Sequence, residues 1–415
     1  MIIPSIDILA GDAVQLVGGE ELAVNAGDPA TIADHFGTVG EIAVIDLDAA
    51  RGEGDNGETL RGLLGRARCR VGGGIRSASQ AVSWLDAGAE RVILGTAAKP
   101  EILQELPRDR VIAAVDARDG EVVVEGWRTR TGRDVRAVVR ELRPYVSGFL
   151  ITFVEREGRL GGTALDQVAD LVEAAGEARV TIAGGVTTAE EVAQLDRLGA
   201  DAQVGMALYT GRLGLAEAFC APLVSDREDG LWPTVVTDER GLALGLTYSS
   251  VDSVRAALER RRGVYWSRRR GLWEKGSTSG ATQRLLSIGA DCDRDTLRFA
   301  VVQEGTGFCH QDTHACFGDL AGLGRLERTL RNRLRSSPRG SYTRRLFEDP
   351  GLLRAKLLEE AQELAEAETP SDVAWEAADL LFFALAAAAR KGVSLAEVEA
   401  ELDRRSRVIT RRTSC

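Results

Sequence analysis

Two stretches of this 415-residue chain repeat one another: Gly73-Gly74-Ile75-Arg76-Ser77-Ala78 and Gly184-Gly185-Val186-Thr187-Thr188-Ala189. The offset is about 111 residues, with a single one-residue slip further along, and nearly the same spacing relates Ile6-Asp7 to Val115-Asp116. Similarity at a fixed distance is the sequence signature of a duplicated structural unit. The repeat therefore predicts that the first part of the chain contains two copies of one half-domain.

Short apolar runs alternate with helical stretches throughout this part of the chain. Examples are Ile42-Ala43-Val44-Ile45, Arg91-Val92-Ile93-Leu94 and Val180-Thr181-Ile182-Ala183. Strands separated by helices indicate βαβ units and a parallel sheet. Because residues 1–223 approach the roughly 250 residues typical of an eight-stranded barrel, we predict a (β/α)8 TIM barrel built from two half-barrels.

Glycines follow the predicted strands in both halves. Glycine after a barrel strand lets backbone N–H groups approach a phosphate, with a helix N-terminus behind them. The candidate phosphate-binding residues are Gly72, Gly73, Gly74, Gly95 and Thr96 in the first half, and Gly184, Gly185 and Gly205 in the second. The pattern predicts a ligand that carries a phosphate at each end.

Asp7 and Asp116 fall at the carboxyl ends of strands one and five, where the catalytic groups of this fold lie. Two facing carboxylates, one protonated and one ionised, can transfer protons to and from a substrate. The alternative is that either aspartate caps the N-terminus of a helix that follows the strand. Because the two aspartates occupy equivalent positions in the repeat, we favour the catalytic interpretation.

This segment resembles the ProFAR isomerase of histidine biosynthesis, which performs an Amadori rearrangement on a bisphosphate. The similar stretches are Pro4-Ser5-Ile6-Asp7, Val71-Gly72-Gly73-Gly74-Ile75-Arg76, Gly126-Trp127 and Gly205-Met206-Ala207-Leu208-Tyr209. The resemblance implies Asp7 as proton acceptor and Asp116 as proton donor. Where the family usually carries Asp-Gly-Thr after strand six, this chain has Glu157, whose carboxylate reaches one methylene further. Two relatives share the repeat, namely the imidazole glycerol phosphate synthase cyclase and barrels that also isomerise phosphoribosyl anthranilate.

A second segment, residues 226–318, combines thiols with closely spaced carboxylates. Three thiolate ligands with an open fourth position are typical of a catalytic zinc site, and Cys292, Cys309 and Cys316 supply three. If Asp291-Cys292-Asp293-Arg294-Asp295 is a strand, its three carboxylates share one face. Hard oxygen ligands suit magnesium, so we assign Asp291, Asp293 and Asp295 to Mg²⁺. The alternative is a solvated acidic turn beside buried cysteines.

This second segment resembles phosphoribosyl-AMP cyclohydrolase. The resemblance rests on Trp266-Ser267-Arg268, Thr278-Ser279-Gly280, the Asp-Cys-Asp-x-Asp stretch and the closing Cys309-His310…Cys316-Phe317. It implies a zinc-dependent opening of an adenine ring, in a small domain of mixed α and β structure whose thiols come from both subunits of a dimer. His310 is a candidate for proton transfer, with a structural hydrogen bond as the alternative.

The third segment, residues 322–415, is predicted to be all helical, with a hydroxyl-rich loop over Ser336 to Thr343. Glu360 with Glu363, and Glu376 with Asp379, are three apart and share a helix face. Facing helices would combine them into a four-carboxylate site for Mg²⁺. A solvated charged face is the alternative, but Glu376 and Asp379 lie in an apolar run where unpaired carboxylates are costly.

This third segment resembles phosphoribosyl-ATP pyrophosphohydrolase. Its Ser-Tyr-Thr, Lys-x-x-Glu-Glu-x-x-Glu and Glu-x-Ala-Asp-Leu motifs are present, and Phe383 stands where the family commonly has histidine. We assign Ser341, Thr343 and Lys356 to phosphate binding.

The three resemblances predict one trifunctional enzyme that takes phosphoribosyl-ATP through phosphoribosyl-AMP and ProFAR to the ketose isomer, with Zn²⁺ and Mg²⁺ as cofactors. The alternative is a bifunctional hydrolase whose barrel only binds phosphosugars or has a related isomerase specificity. The family implies a homodimer through the cyclohydrolase and helical segments. A net charge of −11 argues against a nonspecific nucleic-acid partner, and the absence of long apolar runs and of a signal-peptide pattern predicts a cytoplasmic protein without a membrane partner.

Overall fold

The computed structural model describes residues 1–124, 126–338 and 340–410. The described residues divide into two compact units, of which one comprises residues 1–238, 246–305 and 407–410, and the other residues 239–245 and 306–406. The predicted boundaries at 223/226 and 318/322 do not coincide with this division and stay predictions. Within the described residues, no helix is both long and apolar enough to cross a membrane.

The strands alternate with helices along the first half of the chain, as the sequence predicts. The strands are β1 (Ile2–Leu9), β2 (Asp12–Val17), β3 (Glu21–Gly27), β4 (Ile42–Asp46), β5 (Cys69–Gly72), β6 (Arg91–Leu94), β7 (Val111–Arg118), β8 (Glu121–Val124), β9 (Thr129–Asp134), β10 (Gly148–Phe153), β11 (Arg179–Ala183), β12 (Ala200–Val204), β13 (Trp232–Thr237), β14 (Ala243–Ser249), β15 (Val264–Ser267), β16 (Gly271–Glu274), β17 (Gln283–Ala290) and β18 (Leu297–Gln303).

The helices of the first unit are mostly short, and most of them follow the strands of a barrel. They are α1 (Pro29–Phe36), α2 (Leu47–Arg51), α3 (Gly57–Leu64), α4 (Ala78–Ala87), α5 (Pro100–Leu103), α6 (Val135–Leu142), α7 (Val168–Ala175), α8 (Ala189–Arg197), α9 (Met206–Tyr209), α10 (Leu215–Cys220) and α11 (Val251–Arg260).

Eight parallel strands close into the predicted barrel, in the order β1, β4, β5, β6, β7, β10, β11 and β12. Closure comes from β12 pairing with β1 and from the parallel register of β10 on β7, which aligns Thr152 with Asp116. Every residue of β10 is buried, as expected for a parallel strand covered on both faces. The TIM barrel prediction is therefore confirmed.

The structure repeats along with the sequence. Gly73 and Gly74 have φ values of 93° and 68°, and Gly184 and Gly185 have 93° and 83°. Ser77 and Thr188 then cap α4 and α8 by accepting a hydrogen bond from the third helical N–H. Each half also inserts an antiparallel hairpin at the barrel mouth, β2–β3 after β1 and β8–β9 after β7.

Beyond the barrel, β14, β13, β18 and β17 form a four-stranded sheet, and β15 pairs with β16. The second unit contains α12 (Gly322–Ser336), α13 (Tyr342–Glu348), α14 (Pro350–Glu366), α15 (Pro370–Arg390) and α16 (Leu395–Ser406). Its helices pack around a core that includes Leu330, Leu346 and Phe383. The predicted loop over Ser336 to Thr343 is shorter than expected, because α12 ends at Ser336 and Ser341 caps α13, which contains Thr343. Arg339 lies outside the described residues.

Candidate functional site

Three carboxylates meet at the mouth of the barrel. Asp7 is on β1 and Asp116 on β7, whereas Glu157 is in the turn after β10. All three are half-buried, and the electrostatic influence of both aspartates reaches Glu157. The structure thus brings Asp7 and Asp116 together, and it places Glu157 beside them.

Burial raises the pKa of all three groups. The pKa of Asp7 is raised to about 6 by burial, against a hydrogen bond from Ser5 Oγ to Asp7 Oδ1 at 3.2 Å. That of Glu157 is raised to about 7 by burial and by the charges of Asp7 and Asp116. Burial also raises the pKa of Asp116, while hydrogen bonds from Trp127 and Thr152 oppose the rise. Asp7 and Glu157, with pKa values of about 6 and about 7, can exchange protons near neutral pH.

The glycines predicted to bind phosphate lie where the backbone is tightly packed. A methyl group on Gly73 would lie 2.7 Å from the backbone N of Asp46, and one on Gly184 would lie 2.7 Å from the carbonyl oxygen of Phe153. By contrast, a methyl group on Gly95 would meet nothing within 4 Å. Close packing therefore requires glycine in the two repeated loops and leaves space around Gly95.

The three aspartates at Asp291, Asp293 and Asp295 lie in a bend between β17 and β18. The strand expectation for this stretch is wrong, because the chain reverses there and Arg294 has φ +67°. Their ligand atoms nevertheless lie within 4.8 Å of one another. Hydrogen bonds from the backbone of Thr296 and Arg294 lower the pKa of Asp291 against its slight burial. The bend, rather than strand alternation, brings the carboxylates together.

The thiols of the proposed zinc site are accessible, since Cys292 and Cys316 are exposed and Cys309 is half-buried. Hydrogen bonds from the backbone of Gln311, and then from Thr313 and Cys316, lower the pKa of Cys309. A lowered thiol pKa favours the thiolate, the form that binds metal. His310 Nδ1 lies 4.0 Å from Cys309 Sγ. Cys292 belongs to the other compact unit, so the complete three-thiol site stays a prediction.

Carboxylates from α14 and α15 form an acidic cluster. Glu360, Glu376 and Asp379 present ligand atoms within 4.8 Å of one another. Burial first, and then Glu363, Glu360 and Asp379, raise the pKa of Glu376. All four predicted residues are therefore adjacent. Like charges gathered in this way fit a divalent cation, which would offset their repulsion.

Lys356 is the basic neighbour of this acidic cluster. Its Nζ lies 3.0 Å from Glu360 and 2.8 Å from Glu359, and it sits 5.7 Å from the centre of the Phe383 ring. Tyr342 packs edge-on against the same ring. Phe383 therefore packs in the core beneath Lys356.

The remaining phosphate-binding predictions, Ser341 and Thr343, lie at the start of α13. Ser341 accepts a hydrogen bond from the N–H of Arg344, and Thr343 Oγ1 accepts one from Arg333 at 3.0 Å. Thr343 is buried. Its hydroxyl oxygen thus already accepts a hydrogen bond within the protein, and the assignment of Ser341 and Thr343 to phosphate binding stays a prediction.

Family comparisons match three consecutive segments. Residues 1–214 match the model described as histidine biosynthesis protein, residues 245–318 phosphoribosyl-AMP cyclohydrolase, and residues 323–406 phosphoribosyl-ATP pyrophosphohydrolase. The chain belongs to the histidine biosynthesis protein family. The resemblances that the motifs predict are thereby confirmed for all three segments of this family member.

Its relatives carry related names. A trifunctional histidine biosynthesis protein of Neurospora crassa is 54% identical over 49% of this chain and 23% of its own length. A bifunctional histidine biosynthesis protein of Schizosaccharomyces pombe is 53% identical over 48% of each chain. An imidazole-4-carboxamide isomerase of Halobacterium salinarum is 41% identical over 53% of this chain and 96% of its own length. The chain thus spans between about a quarter and a half of the multifunctional relatives.

Sequence reasoning missed several neighbours of these sites. Thr152 is a single hydroxyl in the otherwise apolar β10, a signal that could have suggested its contact with Asp116. Tyr209 lies in a stretch that the isomerase resemblance includes, and its hydroxyl is buried without a hydrogen-bond partner. Burial and the charge of Asp7 raise the pKa of Tyr209.

Proposed function

We propose that this chain is a trifunctional enzyme of histidine biosynthesis. Its helical segment would hydrolyse phosphoribosyl-ATP to phosphoribosyl-AMP and pyrophosphate, its middle segment would open the adenine ring to give ProFAR, and its barrel would isomerise ProFAR by an Amadori rearrangement. The observation that carries the barrel's part is the meeting of Asp7, Asp116 and Glu157 at the mouth of a repeated half-barrel. The matches of residues 245–318 to phosphoribosyl-AMP cyclohydrolase and of residues 323–406 to phosphoribosyl-ATP pyrophosphohydrolase support the remaining two activities.

In the barrel, the two aspartates suit opposite halves of a proton transfer. Asp7, with a pKa of about 6, is largely ionised at neutral pH and can accept a proton from the substrate carbon. Asp116 would donate a proton to the opening ribose ring, since burial favours its protonated form. Glu157 is near both and can hold the proton in transit. Repeated glycine loops on each side would hold the two phosphates.

The hydrolytic segments fit metal ions. Cys292, Cys309 and Cys316 would hold zinc, which supplies a nucleophile at neutral pH when it is bound. Magnesium, held by Asp291, Asp293 and Asp295 and by Glu360, Glu363, Glu376 and Asp379, would neutralise phosphate charge. His310 would move a proton beside Cys309, and Lys356 would bind phosphate at the acidic cluster of α14 and α15.

The first test is turnover of purified ProFAR by the full chain, with Asp7→Asn as the control. We expect turnover in the unmodified chain and its loss in the variant. Supplying phosphoribosyl-ATP with magnesium and zinc should then yield the ketose, whereas accumulation of the aldose would locate a defect in the barrel.

A second function for the barrel is binding without catalysis, within a bifunctional hydrolase. The feature that favours it is Glu157, which stands where the family usually has aspartate and whose side chain is one methylene longer. Saturable binding of ProFAR without turnover would support this alternative.

A homodimer is also part of the proposal. Large apolar side chains on α14 and α15 face solvent, with Trp375 71%, Leu358 63% and Leu381 44% exposed. Exposed apolar side chains of this size are typical of subunit contacts. Analytical ultracentrifugation should show a dimer that Trp375→Glu weakens, and a monomer in the unmodified chain would contradict it.

A further inference from the structure

The tip of the β2–β3 hairpin touches the tip of the β8–β9 hairpin across the barrel mouth. A methyl group at Gly19 would lie 2.7 Å from Trp127 Cζ3, 3.1 Å from Cη2 and 3.3 Å from Cε3. These atoms belong to the six-membered ring of the indole. Since real side-chain carbons do not approach a ring carbon to 2.7 Å, the ring can occupy its position only while residue 19 lacks a side chain.

The two hairpins are equivalent in the repeat but carry different residues at their tips. Both begin with the same turn, in which Ala10-Gly11 has φ of 51° and 87° and Asp119-Gly120 has φ of 52° and 79°. Seven residues beyond each turn glycine stand Gly18, with φ 60°, and Trp127, with φ 68°. The same left-handed backbone thus carries glycine in one half and tryptophan in the other.

The conformation of Trp127 is costly and points to a role. A bulky residue with positive φ is an outlier, and such residues persist where the surrounding structure holds them, often at functional sites. Trp127 is hydrogen-bonded to the Asp116 carboxyl. Trp127 therefore connects Gly19, at the tip of the β2–β3 hairpin, to the Asp116 carboxylate on β7.

The first hairpin also holds the loop that carries Glu157. The Gly18 N–H donates to the carbonyl oxygen of Glu157 at 3.3 Å. A methyl group on Gly158 would lie 2.7 Å from Val17 Cα. The tip of the β2–β3 hairpin therefore contacts two segments. One is the β8–β9 tip, whose Trp127 is hydrogen-bonded to Asp116, and the other is the turn that carries Glu157, which lies near Asp7.

We propose that Gly19 is a positioning residue for the barrel reaction, because its bare backbone seats the Trp127 indole, and the seated indole holds the Asp116 carboxyl in place. This inference deepens the proposed isomerase activity and rests on it for the kinetic readout. Gly19 touches no reacting atom and acts through Trp127.

The chain offers a matched pair of variants for the test. Gly18 and Gly19 both have positive φ, 60° and 75°, so Gly18→Ala and Gly19→Ala impose a similar backbone cost. A methyl group at Gly18 meets nothing within 4 Å, whereas one at Gly19 meets the indole. Any difference between the two variants therefore reports the contact with Trp127.

The structural readout is the fluorine spectrum of the full chain labelled with 5-fluorotryptophan. The chain has six tryptophans, and Trp127→Phe assigns one resonance. We expect Gly19→Ala to shift or broaden that resonance and to leave the other five unchanged, while Gly18→Ala leaves all six unchanged. The five unaffected signals show that the variants are folded.

The kinetic readout is ProFAR turnover across pH. Because small displacements of a catalytic group are costly, Gly19→Ala should lower kcat by at least about tenfold. We expect KM to change by less than about threefold, since neither Gly19 nor Trp127 belongs to the glycine loops proposed to hold the phosphates. The pH profile should also shift, because Asp116 loses the partner that favours its ionised form. Gly18→Ala keeps the N–H that donates to the Glu157 carbonyl oxygen and adds a methyl group that meets nothing, so it should lower kcat far less than Gly19→Ala does.

A double variant isolates the contact. In a Trp127→Phe background the atoms closest to residue 19 are absent, so adding Gly19→Ala should cause little further loss of kcat. Any of three results would overturn the proposal. These are an equal loss of kcat from Gly19→Ala in the unmodified and Trp127→Phe backgrounds, equal effects of Gly18→Ala and Gly19→Ala on kcat, and an unmoved Trp127 resonance in Gly19→Ala. If the unmodified chain does not turn over ProFAR, the isomerase proposal fails by itself. The fluorine resonance then decides whether Gly19 seats Trp127.

Discussion

Replacing Asp7 by asparagine should stabilise the protein at neutral pH and leave its stability almost unchanged in acid. Asparagine has nearly the same shape and still accepts the hydrogen bond that Ser5 donates to residue 7. It lacks only the negative charge, which burial makes unfavourable. The variant that removes the proposed proton acceptor therefore also removes a destabilising charge.

The size of the effect follows from the pKa. A rise from the ordinary value of 3.8 to about 6 corresponds to a ceiling of about 3 kcal/mol, at 1.36 kcal/mol for each pKa unit. Asp7 is half-buried and partly screened by solvent, so we expect about 1–2 kcal/mol.

The sign of the pH dependence is fixed by the direction of the shift. A carboxyl whose folded pKa is raised favours the folded state below the unfolded pKa, and this advantage is lost as pH rises through the folded pKa. The gain from Asp7→Asn should therefore be near zero at pH 4, develop between pH 4 and about 6, and stay constant above pH 7.

The assay is urea unfolding of the full-length chain followed by circular dichroism at a series of pH values. Asp166→Asn, which changes an exposed aspartate of the same barrel, is the matched control and should show no comparable gain. A gain for Asp7→Asn that does not vary with pH, or a loss of stability at pH 8, would refute the burial argument.

Three further perturbations test other parts of the molecule. Isomerase turnover should increase as pH rises through about 6, because Asp7 must be ionised to accept a proton; a flat profile between pH 5 and 7 would contradict this assignment. Gly184→Ala should cost about 2–4 kcal/mol in urea unfolding, since it combines φ +93° with a clash against Phe153, whereas Gly95→Ala should cost well under half as much. Magnesium should raise the thermal midpoint of the helical unit, and Glu376→Gln should abolish that response; an equal response in both proteins would exclude Glu376 as a ligand.

The barrel could be predicted from the sequence because the repeat is visible at the level of single residues. Gly73 and Gly184 must be glycine for the same local reason, a methyl group striking the backbone of a preceding strand or turn. The same requirement acts in both halves, so the Gly-Gly motif appears twice in the sequence, at residues 73–74 and 184–185. The acidic cluster was predictable for a similar reason, since the spacings within α14 and α15 define which side chains share a face.

Other features depended on long-range structure. The bend at Asp291 to Asp295 could not be distinguished from a strand, because alternate acidic residues are compatible with both. The apolar run around Glu376 suggested a buried helix, yet Glu376 is half-buried and the neighbouring Trp375 is 71% exposed. The sequence pattern shows that one face of a helix is apolar. It does not distinguish a face buried in the protein core from an exposed face that another molecule can cover.

The two half-barrels have similar residues at some equivalent positions and different residues at others. This distribution matches the chemistry expected of the ligand. A bisphosphate is alike at its two ends, and the glycine loops at Gly73 and Gly184 are alike in sequence and φ. The centre of such a ligand is not symmetric, since one side gives up a proton and the other receives one. There the hairpins differ, with Gly18 in one half and Trp127 in the other. We therefore expect exchanging these tip residues to impair turnover far more than phosphate binding, whereas exchanging the equivalent loops around Gly73 and Gly184 should preserve both.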